Sequence, residues 1–207
     1  MLLGDLYLLS MDRIVVQRSG PLAGEVQVPG AKNSVLKLMV ASLYSAGTHE
    51  LTNVPAISDV KTMGKLLESL GLTVEHGIGE SGVLRLTNSG TIATVAPLEL
   101  VTSIRASINL LGPLLACRGR VRLDMPGGDD FGSRPIDMHV AGLTAMGVRF
   151  DINDNALSAY VDHLIGAHIT LDFPSVGATE NLLTAAVHAD GTTTISNAAR
   201  EPEVADL

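Results

Sequence analysis

Hydrophobic and polar positions along this chain switch repeatedly between a period of two and a helical period. Two-residue alternation, as at 120–125, is typical of a half-buried strand. Spacings of three and four residues, as for Leu36, Met39 and Leu43, are typical of a helix that buries one face. The patterns predict strands at 13–18, 25–28, 48–54, 72–75, 83–87, 120–125, 148–152, 157–162, 168–173 and 192–197.

Helices are predicted between these strands, which makes the fold class α/β. They cover 34–46, 58–70, 97–115, 136–146 and a stretch from the turn at 174–179 to about 189, with another helix start within 199–207. Ser58 is the predicted N-cap of the second helix. Pro113 is expected to kink or end the third helix.

Two internal similarities indicate a repeated unit. Residues 46–53 match 190–197, an offset of 144 positions as between Gly47 and Gly191. Residues 66–72 resemble 142–148, an offset of 76 positions as between Gly71 and Gly147. A unit that recurs every seventy residues or so predicts stacked α/β repeats that share one core. The third copy is unfinished at Leu207, so we expect the chain to be a fragment of a longer protein.

Composition excludes several classes of function. The 207 residues carry a net charge of −8 and only 3% aromatic residues, which argues against a general nucleic-acid binder. Cys117 is the only cysteine, so neither a disulfide nor a cysteine zinc site forms within one chain, and a buried structural thiol in a reducing cytoplasm is expected. The longest apolar run, 106–117, is too short to span a membrane.

The least regular segment is 125–139, MPGGDDFGSRPIDMH, which is predicted to be a loop between a strand and a helix. Such a glycine-rich turn can present backbone N–H groups and a positive helix end to an anion. A plain surface turn is the alternative. Two cations stand out elsewhere: Lys32 in the turn at 29–33, and Arg105, the lone charge in an apolar helical stretch.

Three motifs together resemble a known family. They are GAKN at 30–33, PGGDDFGSRPIDMH at 126–139, and SVGATEN at 175–181 with NAAREPE at 197–203. From Asp12 to Leu207 the chain is similar to the UDP-N-acetylglucosamine 1-carboxyvinyltransferases, enolpyruvyl transferases related to EPSP synthase, and most of all to their actinobacterial members.

The resemblance implies a fold and a domain plan. The family has two similar domains, each an inside-out α/β barrel of three pseudo-symmetric repeats, with the active site between them. We therefore expect 1–11 to be an extension and 12–22 to be a strand that packs in the absent second domain. Residues 23–207 would be the first domain, with its third repeat truncated.

The resemblance also implies roles for individual residues. Lys32 and Asn33 correspond to the pair that contacts phosphoenolpyruvate, and Arg105 and Arg134 to arginines at the substrates. Two segments correspond to contacts with the uridine nucleotide: Pro135, Ile136, Asp137 and Met138, and then Phe173, Pro174, Ser175 and Val176. The catalytic set implied is Asp129, Lys32 and Arg134, and no metal or cofactor is expected.

Asp129 corresponds to the family's general acid, which in many members is a cysteine that the epoxide fosfomycin alkylates. A free aspartic acid titrates at about 3.9, so the site would have to raise the pKa of Asp129. Asp130 and a bound phosphate would raise that pKa, whereas Lys32 would lower it. A carboxylate that merely caps the loop is the alternative.

The expected reaction joins phosphoenolpyruvate and UDP-N-acetylglucosamine in the cytoplasm, at the first committed step of peptidoglycan synthesis. The expected partner is the missing C-terminal domain of the same enzyme, with neither nucleic acid nor membrane involved, and the chain alone is expected to be inactive. Two alternatives stay open. One is a paralogous enolpyruvyl transferase acting on another nucleotide or on shikimate 3-phosphate, and the other is a fragment that only binds a UDP-sugar.

Overall fold

The computed structural model describes residues 15–18, 20–77, 82–124, 136–153 and 156–207. Within these ranges the helices are Lys32–Ala41 (α1), Ser58–Ser69 (α2), Leu98–Ser103 (α3), Leu111–Arg118 (α4), Asp137–Ala145 (α5), Val176–Ala186 (α6) and Pro202–Asp206 (α7). A 3-10 helix, Arg105–Leu110, lies between α3 and α4.

The strands form three small sheets. They are Gly47–Leu51 (β1), Leu72–His76 (β2), Leu84–Asn88 (β3), Arg120–Asp124 (β4), Arg149–Ile152 (β5), Ala156–Tyr160 (β6), His168–Thr170 (β7) and Thr194–Ser196 (β8). The first sheet has the order β1-β3-β2 and the second β4-β6-β5, and both are antiparallel. In the third, β7 and β8 pair in parallel.

Helix α6 lies at the centre of one hydrophobic core and is buried nearly all round. Ala178, Leu182 and Ala185 have no exposed surface, and Thr179, Glu180 and Asn181 are each only 1% exposed. α6 packs against α4, α5 and the 3-10 helix. A helix with so little exposed surface must satisfy most of its polar side chains inside the protein, because an unpartnered buried group costs about 1–3 kcal/mol.

The helices and turns recur at the offsets seen in the sequence. α1 begins at Lys32 and α6 at Val176, and α2 begins at Ser58 and α7 at Pro202, so both pairs are 144 positions apart. Asn53 and Asn197, separated by the same offset, have the left-handed φ angles 54° and 56°. Asparagine tolerates this conformation better than most residues, which explains its presence after both β1 and β8.

Two predicted strands are wrong. Residues 15–18 and 25–28 have no regular structure, and Val15, Val16, Val26 and Val28 are 75–88% exposed. Their alternation suits a strand, but no described strand pairs with either segment. A strand without a partner leaves its backbone groups to water, so local alternation does not suffice.

The single helix predicted over 97–115 is also wrong, because the helix is interrupted at Ile104. Ile104 is extended (φ −138°, ψ 138°) and separates α3 from the 3-10 helix. The Ser107 hydroxyl is 2.8 Å from the carbonyl oxygens of Val101 and Ile104 and can donate to either of them at the break. Pro113 lies in the first turn of α4, where a missing N–H costs little, and the helix continues beyond it to Arg118.

Two local expectations are corrected as well. The residue before α2 is Ile57, and no side chain caps the helix, so Ser58 is its first residue and not its N-cap. Cys117 is half-buried in the last turn of α4, with Sγ 3.6 Å from the carbonyl oxygen of Leu43, rather than fully buried.

Gly112 allows α4 and α6 to approach closely. A Cβ atom built on Gly112 would collide with Thr184 Oγ1 and with the carbonyl oxygen of Asn181. We predict that Gly112→Ala lowers the free energy of unfolding by about 2 kcal/mol or more, because the core would have to separate. Gly64→Ala in α2 is the control: its nearest contact is Val74 Cγ1 at 3.4 Å, so it should be close to neutral. Equal urea-unfolding midpoints for both variants would contradict the prediction.

Candidate functional site

A cleft of about 500 Å³ opens where several helices begin. The first residues of α1, α5, α6 and the 3-10 helix form its walls. Its lining residues are Lys32, Asn33, Leu36, Lys37, Asp59, Ser103, Ile104, Arg105, Ala106, Ile108, Asn109, Met138, His139, Phe173, Ser175, Val176, Gly177 and Glu180. The cleft therefore collects residues from turns that are far apart in the sequence.

The start of a helix favours anions, and the starts of α1 and α6 both face this cleft. No side chain caps α1 at Ala31, while Ser175 Oγ accepts a hydrogen bond from the N–H of Ala178 at 3.3 Å in α6. Lys32, Lys37 and Arg105 add three positive charges, against the two carboxylates Asp59 and Glu180. An acidic chain thus has a cleft suited to a negatively charged ligand.

Lys32 lies at the solvent side of the cleft and pairs with Asp59 in the first turn of α2. Lys32 Nζ is 2.6 Å from Asp59 Oδ2, and the two side chains are 52% and 25% exposed. Water screens a pair this open, so an incoming phosphate can compete for the ammonium group.

Lys37 and Glu180 form a second ion pair at the buried end of the cleft. Lys37 Nζ is 2.6 Å from Glu180 Oε1, and the side chains are 10% and 1% exposed. Burial raises the pKa of Glu180, and the nearby Lys37 counteracts this effect. Glu180 Oε2 has no hydrogen-bond partner within the described ranges.

His139 is buried on the wall of the cleft and is held by Asn181 of α6. His139 Nδ1 is 2.9 Å from Asn181 Nδ2. Burial and, to a smaller extent, the charge of Arg105 lower the pKa of His139 to about 4, although Asp137 acts in the opposite direction. His139 is therefore neutral at physiological pH.

Of the twelve predicted substrate-binding residues, seven line the cleft: Lys32, Asn33, Arg105, Met138, Phe173, Ser175 and Val176. Asp137 faces an adjoining hollow beside β7, which Met138 also lines, and Pro174 faces another hollow beside β8. Ile136 precedes α5 and packs against the core. Asp129, Asp130, Arg134 and Pro135 lie outside the described residues, so their assigned roles stay predictions.

Sequence reasoning did not select Lys37, Asp59, His139 or Glu180 as site residues. For Lys37 and Glu180 a signal was present, since each is the charged residue within an otherwise apolar helical run, as Arg105 is. Asp59 and His139 have no comparable signal, because a helix-start carboxylate and a lone histidine are common in ordinary folds.

The described ranges lack two features. In them no helix is long and apolar enough to cross a membrane. The same ranges also contain no cluster of three or more His, Cys, Asp or Glu side chains that could hold a metal ion.

A family profile described as EPSP synthase (3-phosphoshikimate 1-carboxyvinyltransferase) matches residues 16–207. The chain belongs to this family. The fold agrees: the enolpyruvyl transferase NikO from Streptomyces tendae superposes with a TM-score of 0.76 at 23% identity, over 89% of this chain and 43% of that one. EPSP synthase from Acinetobacter baumannii gives a TM-score of 0.70 at 18% identity, over 88% and 42%. The chain therefore has the α/β fold of the solved enolpyruvyl transferases.

Three relatives of higher identity carry the same name. UDP-N-acetylglucosamine 1-carboxyvinyltransferase from Corynebacterium jeikeium is 50% identical over 196 residues, which is 95% of this chain and 46% of the relative. The proteins of that name from Mycolicibacterium paratuberculosis and a Jannaschia species are 50% and 47% identical, with the same coverage. The chain thus spans about half the length of these relatives.

The buried Lys37–Glu180 pair should be far more sensitive to the loss of one partner than a surface pair. We predict that Lys37→Met lowers the free energy of unfolding by about 3 kcal/mol, because it leaves a buried carboxylate without its cation. Adding Glu180→Leu should recover most of that loss.

The exposed Arg85–Glu50 pair, at 2.8 Å, is the matched control. Arg85→Met should cost less than about 1 kcal/mol. If urea titrations give Lys37→Met a cost as small as that of Arg85→Met, the buried pair is not a structural constraint.

His139 should make stability depend on pH. Its pKa is about 4 in the folded chain against about 6.5 for an ordinary histidine, so between these values the unfolded state binds a proton that the folded state does not. The free energy of unfolding therefore falls as the pH is lowered from 6.5 towards 4, by up to about 3 kcal/mol for this group.

His139→Gln should remove that contribution from urea titrations repeated over this pH range. Glu180, whose raised pKa gives the opposite slope, is present in both proteins and largely cancels in the comparison. His163→Gln, at an exposed position, controls for the loss of an imidazole as such. Identical pH slopes for wild type and His139→Gln would refute the neutral, buried state of His139.

Proposed function

We propose that this chain is part of a UDP-N-acetylglucosamine 1-carboxyvinyltransferase. The enzyme would transfer the enolpyruvyl group of phosphoenolpyruvate to the 3′-hydroxyl of UDP-N-acetylglucosamine and release phosphate. Relatives of that name share about half of their aligned residues with this chain. The observation that carries the proposal is the convergence of seven predicted substrate-binding residues on one cleft between the starts of α1 and α6.

The anionic groups of the substrates account for the cleft's charges. Phosphoenolpyruvate carries a phosphate and a carboxylate, which Lys32 and Asn33 would bind with a cation and a neutral donor. Arg105 would bind a further substrate oxygen with its fork of N–H groups. The backbone at Ser175–Gly177 would accept the diphosphate at the start of α6, and the segment 135–138 would hold the uridine.

The chemistry needs one proton donor for addition. The 3′-hydroxyl oxygen of the sugar would bond to C2 of phosphoenolpyruvate while Asp129 protonates C3, and the hydroxyl proton would pass to a base. Elimination would then remove a proton from C3 and expel phosphate, which restores the double bond. Arg134 would stabilise the negative charge of the substrate phosphates during these steps.

We also propose the finer plan of the fold. The residue offsets of 144 and 76 positions, and the matching left-handed asparagines, support three pseudo-symmetric repeats of an inside-out α/β barrel. Residues 23–207 would be the first domain. The rest of the relatives' length would supply the opposite wall of the cleft, with 12–22 packed in it, so this chain alone should show no turnover.

Such an enzyme would work in the cytoplasm, where both substrates are found, and would serve peptidoglycan synthesis, hence cell shape and division. Phosphate release from phosphoenolpyruvate by the full-length protein that carries this chain is the test. Release that depends on UDP-N-acetylglucosamine, and is not supported by shikimate 3-phosphate, is the expected result. Phosphate release that requires shikimate 3-phosphate, and that UDP-N-acetylglucosamine does not support, would overturn the assignment.

In the full-length protein, Asp129→Asn should lower turnover by roughly 10²–10⁴-fold, because an amide cannot supply the proton. Its affinity for UDP-N-acetylglucosamine, measured by calorimetry, should change little. Asp130→Asn is the matched control and should keep turnover. If only Asp130→Asn loses turnover, Asp130 and not Asp129 is the general acid. If both variants keep full turnover, neither carboxyl group is the general acid.

Asp129→Cys should stay active and become sensitive to fosfomycin, whereas the wild type should resist it. A thiolate opens an epoxide readily and a carboxylate does so poorly. Cys117, on α4, does not line the cleft and should not react in its place. Inhibition of the wild-type enzyme by covalent fosfomycin labelling would contradict this expectation.

A further inference from the structure

The backbone around Asn181 fixes the orientation of its side-chain amide. The N–H of Gly112 donates to Asn181 Oδ1 at 2.9 Å, and Asn181 Nδ2 donates to the carbonyl oxygen of Ile108 at 2.9 Å. A backbone N–H can only donate and a carbonyl can only accept. Turning the amide over would break both bonds inside the core, so Nδ2 must be the nitrogen that faces His139.

This orientation determines which ring nitrogen of His139 carries the proton. Asn181 Nδ2 has a second hydrogen and lies 2.9 Å from His139 Nδ1. An amide nitrogen offers no acceptor, so Nδ1 must accept the bond with its lone pair. The proton of the neutral ring is therefore on Nε2, and a second proton on Nδ1 would set two donors against each other.

The charged groups around the ring support the neutral state. Arg105 of the 3-10 helix and burial both lower the pKa of His139, and Asp137 of α5 acts in the opposite sense. Lys37 and Glu180, which also line the cleft, are paired with each other. Consequently the ring should not gain a proton between about pH 5 and 8, the range in which an ordinary histidine titrates.

The Nε2 edge of the ring lies beside the start of α6. A Cβ atom built on Gly177 would be 3.4 Å from His139 Cε1 and 3.5 Å from Nε2. Gly177 and His139 both line the cleft. The Nε2–H group is thus next to the helix end that would receive an anion.

We propose that Asn181 is a positioning residue that fixes His139 as a neutral Nε2–H donor to a phosphate oxygen of the substrate bound at the start of α6. The ligand part of this inference rests on the proposed function, whereas the tautomer part does not. A donor of this kind binds an anion equally well across the physiological pH range. It also prevents His139 from acting as the acid or the base of the reaction.

Proton–nitrogen correlation spectra of the histidine rings, recorded on the ligand-free chain, test the tautomer. The signals of His139, one of six histidines, are assigned by their loss in His139→Gln. The expected spectrum has an unprotonated Nδ1 and a protonated Nε2 that stay constant between about pH 5 and 8. A proton on Nδ1, or a titration within that range, would overturn the proposal.

Asn181→Asp tests the positioning role, because a carboxylate facing Nδ1 favours a proton there. The titration midpoint of His139 should move up into that range. Asn88→Asp is the matched control: Asn88 is also buried, donates to the carbonyls of Ser42 and Leu43, accepts from the N–H of Gly90, and has no hydrogen bond to a histidine among the described residues. A folded Asn181→Asp chain with an unchanged His139 spectrum would refute the role of Asn181. If Asn181→Asp does not fold, the wild-type spectrum still tests the His139 tautomer that Asn181 is proposed to fix.

Titration of the full-length protein that carries this chain with UDP-N-acetylglucosamine tests the donor role. The Nε2-bound proton of His139 should shift downfield as the ligand saturates the protein, and binding without any shift of this signal would refute the contact. If UDP-N-acetylglucosamine fails to bind, the proposed function loses its support, while the tautomer stands or falls on the ligand-free spectra.

Discussion

The fold depends on satisfying the polar side chains of a helix that is buried over most of its surface. Three consecutive buried polar residues of α6, Thr179, Glu180 and Asn181, each hold a neighbouring element in a fixed position. Thr179 Oγ1 accepts from the N–H of Ala199 beyond β8, and Asn181 bonds with α4, the 3-10 helix and α5. Glu180 brings Lys37 of α1 into the core. Apolar packing alone would let these elements slide, whereas directional bonds set their register.

The hydrogen bonds of Asn181 and the ion pair of Glu180 also determine where the cleft lies. Because Asn181 and Glu180 lie within two turns of the start of α6, the elements they hold also meet near that end. The cleft is therefore a product of how the core is tied together, and its wall groups have fixed positions before any ligand arrives. Because these groups are already in place, no rearrangement of the protein is needed when an anion binds.

Local patterns predicted much of the secondary structure, because strand alternation and helical spacing are properties of short segments. α2, β2, β3 and α5 lie close to their predicted positions. The unpaired segment 25–28 was missed, since strand formation depends on partners distant in the sequence. The break at Ile104 was missed because helical spacing continues through it, although the Ser107 hydroxyl that bonds to Val101 and Ile104 is a local contact. Lys37 and Glu180 each gave a local signal, but their pairing spans most of the chain. The assignment of the loop that holds Asp129 rests on family motifs, and no spacing rule supplies it.

The strand order of the small sheets has a consequence for synthesis on the ribosome. In the orders β1-β3-β2 and β4-β6-β5, the strand made last is the one in the middle. Apart from the single bridge between Val95 and Arg122 of β4, the two earlier strands of each sheet have no described strand partner until their central strand emerges, so neither three-stranded sheet can form in stages. Each unit should then acquire its structure in one cooperative step, after the whole segment has left the exit tunnel.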